Sequence, residues 1–380
     1  MLGLRRTDFY LRGAYGPANL GDDILMMVGA NLLRQHHPRS TLLIGVEHVE
    51  RARKFLPDFE FSKLEEPVHA NIAVLGGGGQ FFSFGRGQAA PRRSVWQALR
   101  NSGWATVMKR ICLEALHGRG IAFSSNTLLG LSLGIGPFEN GADDYQYQRT
   151  QTYLRKMAYL TVRDPMSEQL CSQAFGVDAQ CYTDLSFARK YWLEQTETAL
   201  SPATPGKIGV VVRDWKNAGM SKSLIEQFLH ALLKTKAAHE LVFITLDRIN
   251  DQALIAQYPD MEWIIWEPGT QSPGAFLGEI KQTCAFLLSM RAHGILLPAA
   301  INIPSIAVEI EPKLRNVQRM LPHGTRLITQ DEFSCLSPIL DEFSHKLEDY
   351  KSCLETDFSR QEQLAEAMIE EFIDRTHHYA

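Results

Sequence analysis

The chain has 380 residues, 45% hydrophobic, 22% charged and 9% aromatic, with a formal charge of −4. These fractions exclude disordered, collagenous and coiled-coil classes, and the length suits two domains. With 39 Lys and Arg against 43 Asp and Glu, there is no overall basic footprint for nucleic acid.

The apolar stretch Leu296 to Val308 is broken by Asn302 and Pro304 and falls short of the roughly 18 residues that a membrane span needs. The N-terminus MLGLRRTDFY has no apolar h-region, so a cytoplasmic protein is expected. The six cysteines at 112, 171, 181, 284, 335 and 353 show no zinc spacing. Most sit in apolar segments and read as buried, reduced thiols, and no metal site is expected.

The first 190 residues alternate strand and helix. Strands are predicted at Phe9 to Ala14, Ser40 to Val46, Ile72 to Leu75, Leu128 to Gly134 and Tyr159 to Val162. Helices are predicted at Asp22 to Gln35, about Asp144 to Met157 and Met166 to Phe175. Such alternation implies a parallel sheet covered by helices. The polar, proline-bearing run QTETALSPATPGK at 195–207 suits a linker. A second βα series has strands near Ile208 to Val212, Leu241 to Thr245, Trp263 to Trp266, Ala285 to Ser289 and Ser305 to Val308, and 331–375 reads as acidic helix. The expected architecture is α/β: two Rossmann-like doubly wound domains facing a cleft, with a C-terminal helical tail. The divisions are 1–194 (acceptor side), 195–207 (linker), 208–330 (donor side) and 331–380 (helices).

Between Glu66 and Glu114 there is no acidic residue, whereas Arg86, Arg92, Arg93, Arg100, Lys109 and Arg110 accompany Trp96 and Trp104. This is either a solvated basic helix or a surface for anionic lipid or a phosphorylated carrier.

Gly16 to Asp23 has the G-x4-G spacing of a P-loop, but Asp22 stands where lysine belongs. A carboxylate there repels a triphosphate, so Walker-type binding is rejected. Asp22 and Asp23 either complement a helix dipole, or Asn19 and Asp22 face the cleft at the strand's carboxyl end. Gly130 to Gly134 fits G-x-S-x-G, but Ile135-Gly136-Pro137 cannot open the helix that a nucleophile elbow requires. The run Gly76-Gly77-Gly78-Gly79 suits close backbone approach to a ligand.

Ser289-Met290-Arg291-Ala292-His293-Gly294 lies where a strand gives way to a helix. Groups at that position point into the crevice above a parallel sheet. Arg291 supplies a planar fork for carboxylate or phosphate, and His293 can move a proton near neutral pH. The alternative is a capping serine with a structural arginine and histidine. Arg213 ends the first strand of the second domain and adds another cationic fork, unless it simply pairs with Asp214. Arg163-Asp164 reads as a structural ion pair. Glu309, Glu311 and Lys313 either line the cleft or decorate a turn. His36-His37 and His377-His378 read as surface residues.

The motifs G-x-Y-G-x-x-N-x-G-D-D at 13–23, L-G-G-G-G at 75–79, G-I-G-P at 134–137, T-V-R-D-P-x-S at 161–167 and M-R-A-H-G-I-L-L-P-A-A at 290–300 occur in this order. Together with I-P-S-I-A-V at 303–308, they resemble the polysaccharide pyruvyltransferase family over roughly residues 10 to 320. The resemblance implies a fold similar to GT-B glycosyltransferases and transfer of pyruvate from phosphoenolpyruvate to two hydroxyls of a sugar. The product is a cyclic ketal on a glycan or lipid-linked repeat unit. It implies that Arg213, Arg291 and Ala292 hold the donor and that His293 is the acid/base. Family members often have R-L-H where this chain has Arg291-Ala292-His293. Asn19, Asp22, Gly77, Gly78, Glu309 and Lys313 are the acceptor or cleft candidates. No cofactor beyond the co-substrate phosphoenolpyruvate is expected. The expected partners are phosphoenolpyruvate, a glycan or lipid-linked acceptor and the inner face of the plasma membrane, but not nucleic acid. A nucleotide-sugar glycosyltransferase and a non-catalytic glycan-binding member are the alternatives.

Overall fold

The computed structural model describes residues 4–16, 18–83, 123–138, 141, 145–194, 206–213, 222–310 and 312–380. The basic stretch at 86–110, linker residues 195–205, Asp214 and Glu311 lie outside the described residues.

The described residues form two compact units. One comprises Met1–Tyr15, Gly29–Leu185 and Met368–Ala380, and the other Gly16–Val28 and Ser186–Ala367. Membership therefore does not follow the chain in single blocks: residues 16–28 count with the second unit and 368–380 with the first.

The first unit contains a seven-stranded parallel sheet among the described residues. Its strands are β1 (Arg5–Arg12), β2 (Leu42–Val46), β3 (Glu60–Lys63), β4 (Val68–Ser83), β5 (Phe123–Phe138), β6 (Tyr159–Val162) and β7 (Gln180–Cys181). Their order is β3-β2-β1-β4-β5-β6-β7, so the direction of winding reverses between β1 and β4. The main helices along this part of the chain are α1 (Leu20–His36), whose residues 20–28 count with the second unit, α2 (Val49–Phe55), α3 (Tyr145–Leu154) and α4 (Pro165–Leu170). The second sheet has six strands, β8 (Lys207–Val211), β9 (Leu241–Thr245), β10 (Trp263–Ile265), β11 (Cys284–Ser289), β12 (Ser305–Val308) and β13 (Thr325–Ile328). Its order is β10-β9-β8-β11-β12-β13, with the reversal between β8 and β11. The intervening helices are α5 (Lys222–Lys234), α6 (Gln252–Gln257), α7 (Pro273–Thr283), α8 (His293–Ala299) and α9 (Pro312–Met320), and α10 (Leu336–His345) and α11 (Leu347–Tyr379) form the helical tail.

Strands such as LVFIT (β9) and SIAV (β12) are buried at every residue. Continuous apolar runs suit parallel sheets covered on both faces.

Three expectations need correction. The glycines at 76–79 do not follow a strand but lie inside β4, paired as Gly76↔Leu131, Gly78↔Leu133 and Gly79↔Gly134. Ladder pairing with β5 supplies backbone hydrogen bonds that outweigh the low strand propensity of glycine. His37 is buried rather than on the surface: its Nε2 lies 2.8 Å from Thr376 Oγ1, and its ring lies 4.5 Å from Phe9 and 4.4 Å from His377. Burial depresses its pKa below the usual histidine value. Among the cysteines, Cys171 and Cys284 are buried, with thiols pushed up to about 12 by desolvation. Cys335, just before α10, and Cys353, on α11, are in contrast exposed.

Candidate active site

In an open parallel sheet, the crevice at the carboxyl ends of the strands opens where the winding reverses. In the second sheet that place is between β8 and β11. β8 runs out through Val212 into Arg213, and β11 ends at Ser289, two residues before Arg291.

The turn after β11 is closed by Ser289. Its Oγ donates to the Arg291 carbonyl at 2.8 Å and accepts from the Arg291 amide at 3.1 Å. Gly294 lets α8 start against the sheet, because a Cβ there would lie 2.3 Å from Ser289 Oγ and 2.7 Å from Val211 Cγ1. Ala292 is the residue that opens α8, and His293 is its first helical residue. Arg291 is 6% exposed. Its Nε donates to the Val212 carbonyl at 3.0 Å, and Nη2 donates to both carboxylate oxygens of Asp251 at 2.7 and 2.6 Å. The Asp251 side chain is fully buried and also accepts from Thr245 Oγ1 at 2.7 Å. Thr245 in turn accepts from the Asp247 amide at 3.1 Å, and Asp247 takes both the amide and the side-chain nitrogen of Asn250. Burying both charges is tolerated because they are paired and hydrogen-bonded.

His293 is half-buried, and its ring lies against Gly21. A Cβ on Gly21 would be 1.9 Å from His293 Nδ1 and 2.3 Å from Cγ. The first turn of α1 is thus built into the second unit. Asn19 Oδ1 accepts from the Gly21 amide at 3.2 Å, the Leu20 amide donates to the Leu246 carbonyl at 2.8 Å, and Asp23 accepts from Trp266 Nε1 at 3.1 Å. Asn19 therefore acts as an N-cap. Asp22 is half-buried in the same turn.

The other predicted residues have partners or positions of their own. Glu309 meets the fork of Arg315 on α9 with two bonds of 2.7 Å; Lys313 is half-buried on the same helix. Gly77 and Gly78 belong to the first unit and hold φ values of 60° and 79°, a region that disfavours side chains. There Tyr15 Oη donates to the Gly76 carbonyl at 2.5 Å, and a Cβ on Gly13 would lie 2.3 Å from the Tyr15 ring. Ser132 lies inside β5, fully buried, and donates to the Thr183 carbonyl at 2.9 Å, so it is no nucleophile elbow. Arg163 pairs with Asp184 at 2.9 Å and reaches Asp164 at 3.6 Å. Asp164 chiefly caps α4, accepting the Ser167 amide at 2.8 Å. The T-V-R-D-P-x-S motif thus supplies an ion pair and a helix cap.

The sequence reading missed Asp251, Gly21 and the Asp23–Trp266 bond. The D-R-I-N-D run at 247–251 carried a signal, two carboxylates just beyond a strand end, but nothing in it names Arg291 as the partner. Among the described residues no group of His, Cys, Asp or Glu is arranged to hold a metal ion.

A family model described as polysaccharide pyruvyl transferase matches residues 19–312. No curated protein matches the chain. Among solved structures, Anabaena Alr3699/HepE in complex with UDP-glucose is similar at 12% identity and a TM-score of 0.56, covering 98% of this chain and 100% of that one. A glycosyltransferase from Rickettsia africae shares 11% identity at a TM-score of 0.52, covering 98% of each chain. The wall teichoic acid polymerase TagF shares 9% at 0.50, covering 98% of this chain and 88% of that one. At such identities these likenesses establish the fold, that of the GT-B-like glycosyltransferases.

Proposed function

The chain belongs to the polysaccharide pyruvyl transferase family, and from that premise we propose that it moves pyruvate from phosphoenolpyruvate onto two hydroxyls of a sugar, forming a cyclic ketal and releasing phosphate. The observation that carries the reading is the family match, which spans the Arg291-Ala292-His293 segment at the reversal of the second sheet.

The donor bears about three negative charges, and two guanidinium groups at adjacent strand ends suit its carboxylate and phosphate. In this scheme Arg213 offers a fork and Arg291 offers its Nη1 edge, since Nε and Nη2 are engaged within the protein. The turn backbone at Ala292 adds a contact. His293 gives a proton to the methylene carbon, which leaves C2 cationic. One sugar hydroxyl adds to C2 and returns its proton to His293. Phosphate departs with the C2–O electron pair, and the second hydroxyl closes the ketal as its proton leaves with phosphate. Guanidinium cannot serve as the acid, because it does not deprotonate in proteins.

For the acceptor we assign Asn19, Asp22 and the backbone of Gly77 and Gly78 as candidates. Glu309 is a weaker one, because Arg315 engages both its oxygens, and Lys313 completes the set. A lipid-linked acceptor at the inner face of the plasma membrane is part of the proposal. It rests on the basic, acid-free sequence at 86–110; no helix among the described residues is long and apolar enough to cross a membrane.

The test is to incubate the purified protein with phosphoenolpyruvate and candidate sugars, free or vesicle-borne. Stoichiometric phosphate release with a new carboxylate-bearing ketal on the acceptor supports the reading. The UDP-glucose held by Anabaena HepE names the rival donor class. Nucleotide release from a nucleotide-sugar, with phosphoenolpyruvate left intact, would overturn the pyruvyl reading.

A further inference from the structure

Most of the Arg291 fork is spent inside the protein. Nε holds the Val212 carbonyl and Nη2 bridges both Asp251 oxygens, whereas Nη1 makes no hydrogen bond among the described residues. The groups that hold it come from three neighbouring strand ends. Val212 continues β8, Thr245 ends β9 and leads towards Asp251, and Arg291 follows β11. The Val212 amide itself donates to the Ile244 carbonyl at 3.1 Å, so the residue whose carbonyl receives Arg291 Nε is anchored through its amide as well. Arg213 is the next residue.

We propose that Asp251 is the positioning residue of the donor pair. It fixes the Arg291 fork through Nη2, which leaves the Nη1 edge for the donor and, through the Nε–Val212 bond, sets the backbone from which Arg213 departs. This inference rests on the reading of Arg213 and Arg291 as donor ligands. With a buried carboxylate against it, Arg291 contributes a directed N–H pair more than net charge. A filler of equal volume would preserve packing but not direction. Asparagine at 251 keeps the size and one oxygen acceptor while losing the charge that holds Nη2 between two oxygens.

The experiment compares wild type with Asp251→Asn and Thr245→Val. Folded fraction is read from thermal melts, phosphoenolpyruvate affinity from calorimetry, and KM and kcat from phosphate release. Misaligned catalytic and binding groups lose orders of magnitude for shifts of about 1 Å. Asp251→Asn should therefore raise KM and Kd for phosphoenolpyruvate by about 10-fold or more, with a smaller fall in kcat per folded molecule. Thr245→Val, which removes one donor to Asp251 Oδ2, should move Kd the same way by a few-fold. A purely structural ion pair would lower the folded fraction and leave KM and Kd unchanged, and that result overturns the proposal. If Asp251→Asn does not fold, Thr245→Val decides: a raised Kd supports positioning and an unchanged Kd overturns it. Wild type that neither binds nor turns over phosphoenolpyruvate overturns the functional reading beneath it, an outcome distinct from normal wild type with unaltered variants.

Discussion

The molecule contains the same topological feature twice, with opposite fillings. In the first sheet the winding reverses between β1 and β4, and in the second between β8 and β11. At the first reversal the sequence supplies glycines and a tyrosine. Gly13 and Gly76 leave room for the Tyr15 ring, whose hydroxyl donates to the Gly76 carbonyl. Gly77 and Gly78 then take backbone angles that side chains disfavour. At the second reversal it supplies Arg213, Arg291 and His293, with Asp251 buried behind Arg291. Topology makes both places available, and residue chemistry separates them: one offers backbone and shape, the other fixed charge and a titratable ring.

The strongest way to break this contrast is His293→Ala. If the second reversal carries the chemistry, turnover of phosphoenolpyruvate should fall by about 10²–10⁴, the usual worth of a positioned acid/base. Donor affinity should stay within a few-fold. Near-native turnover would move the proton source elsewhere.

Gly21→Ala tests whether the first turn of α1 belongs to that chemistry. The new methyl would sit 1.9 Å from His293 Nδ1, so the ring must shift. A displacement of about 1 Å can cost about 10² in rate, and overpacking costs about 1–3 kcal/mol of stability. Turnover should drop by more than the melting transition accounts for, with donor Kd little changed. Loss confined to stability would make Gly21 a packing residue only.

The mildest change is Tyr15→Phe at the first reversal. Deleting the hydroxyl removes its bond to the Gly76 carbonyl, worth about 1 kcal/mol. A slightly lower denaturation midpoint with an unaltered KM for phosphoenolpyruvate is expected. A raised donor KM would show that the two reversals are not chemically separate.

Much of the fold was legible in local pattern. The run Tyr159 to Val162 is β6 to the residue, and the second sheet's first five strands fall where β-branched, apolar segments stand. β3 (EFSK), β7 (QC) and β13 (TRLI) were not seen, because polar and charged residues interrupt so short a run, whereas the equally short β10 (WII) and β12 (SIAV) are almost wholly apolar. The Arg163–Asp164 ion pair forms as read, and the fold adds a closer partner, Asp184, that local sequence does not reveal.

By itself the sequence determined the alternation that builds two parallel sheets, the strand-to-helix junction carrying Arg291 and His293, and the ordered motifs of the family. Such features depend on neighbours within a few residues, where side-chain period and turn chemistry act directly. Tertiary structure alone decided that Arg291 turns its fork inward to Asp251, 40 residues away, that Gly21 lies under His293, and that the glycines at 76–79 continue a strand. Each depends on which strand ends the sheet order sets side by side. A buried charge or a missing Cβ has no partner in the linear chain until that order exists.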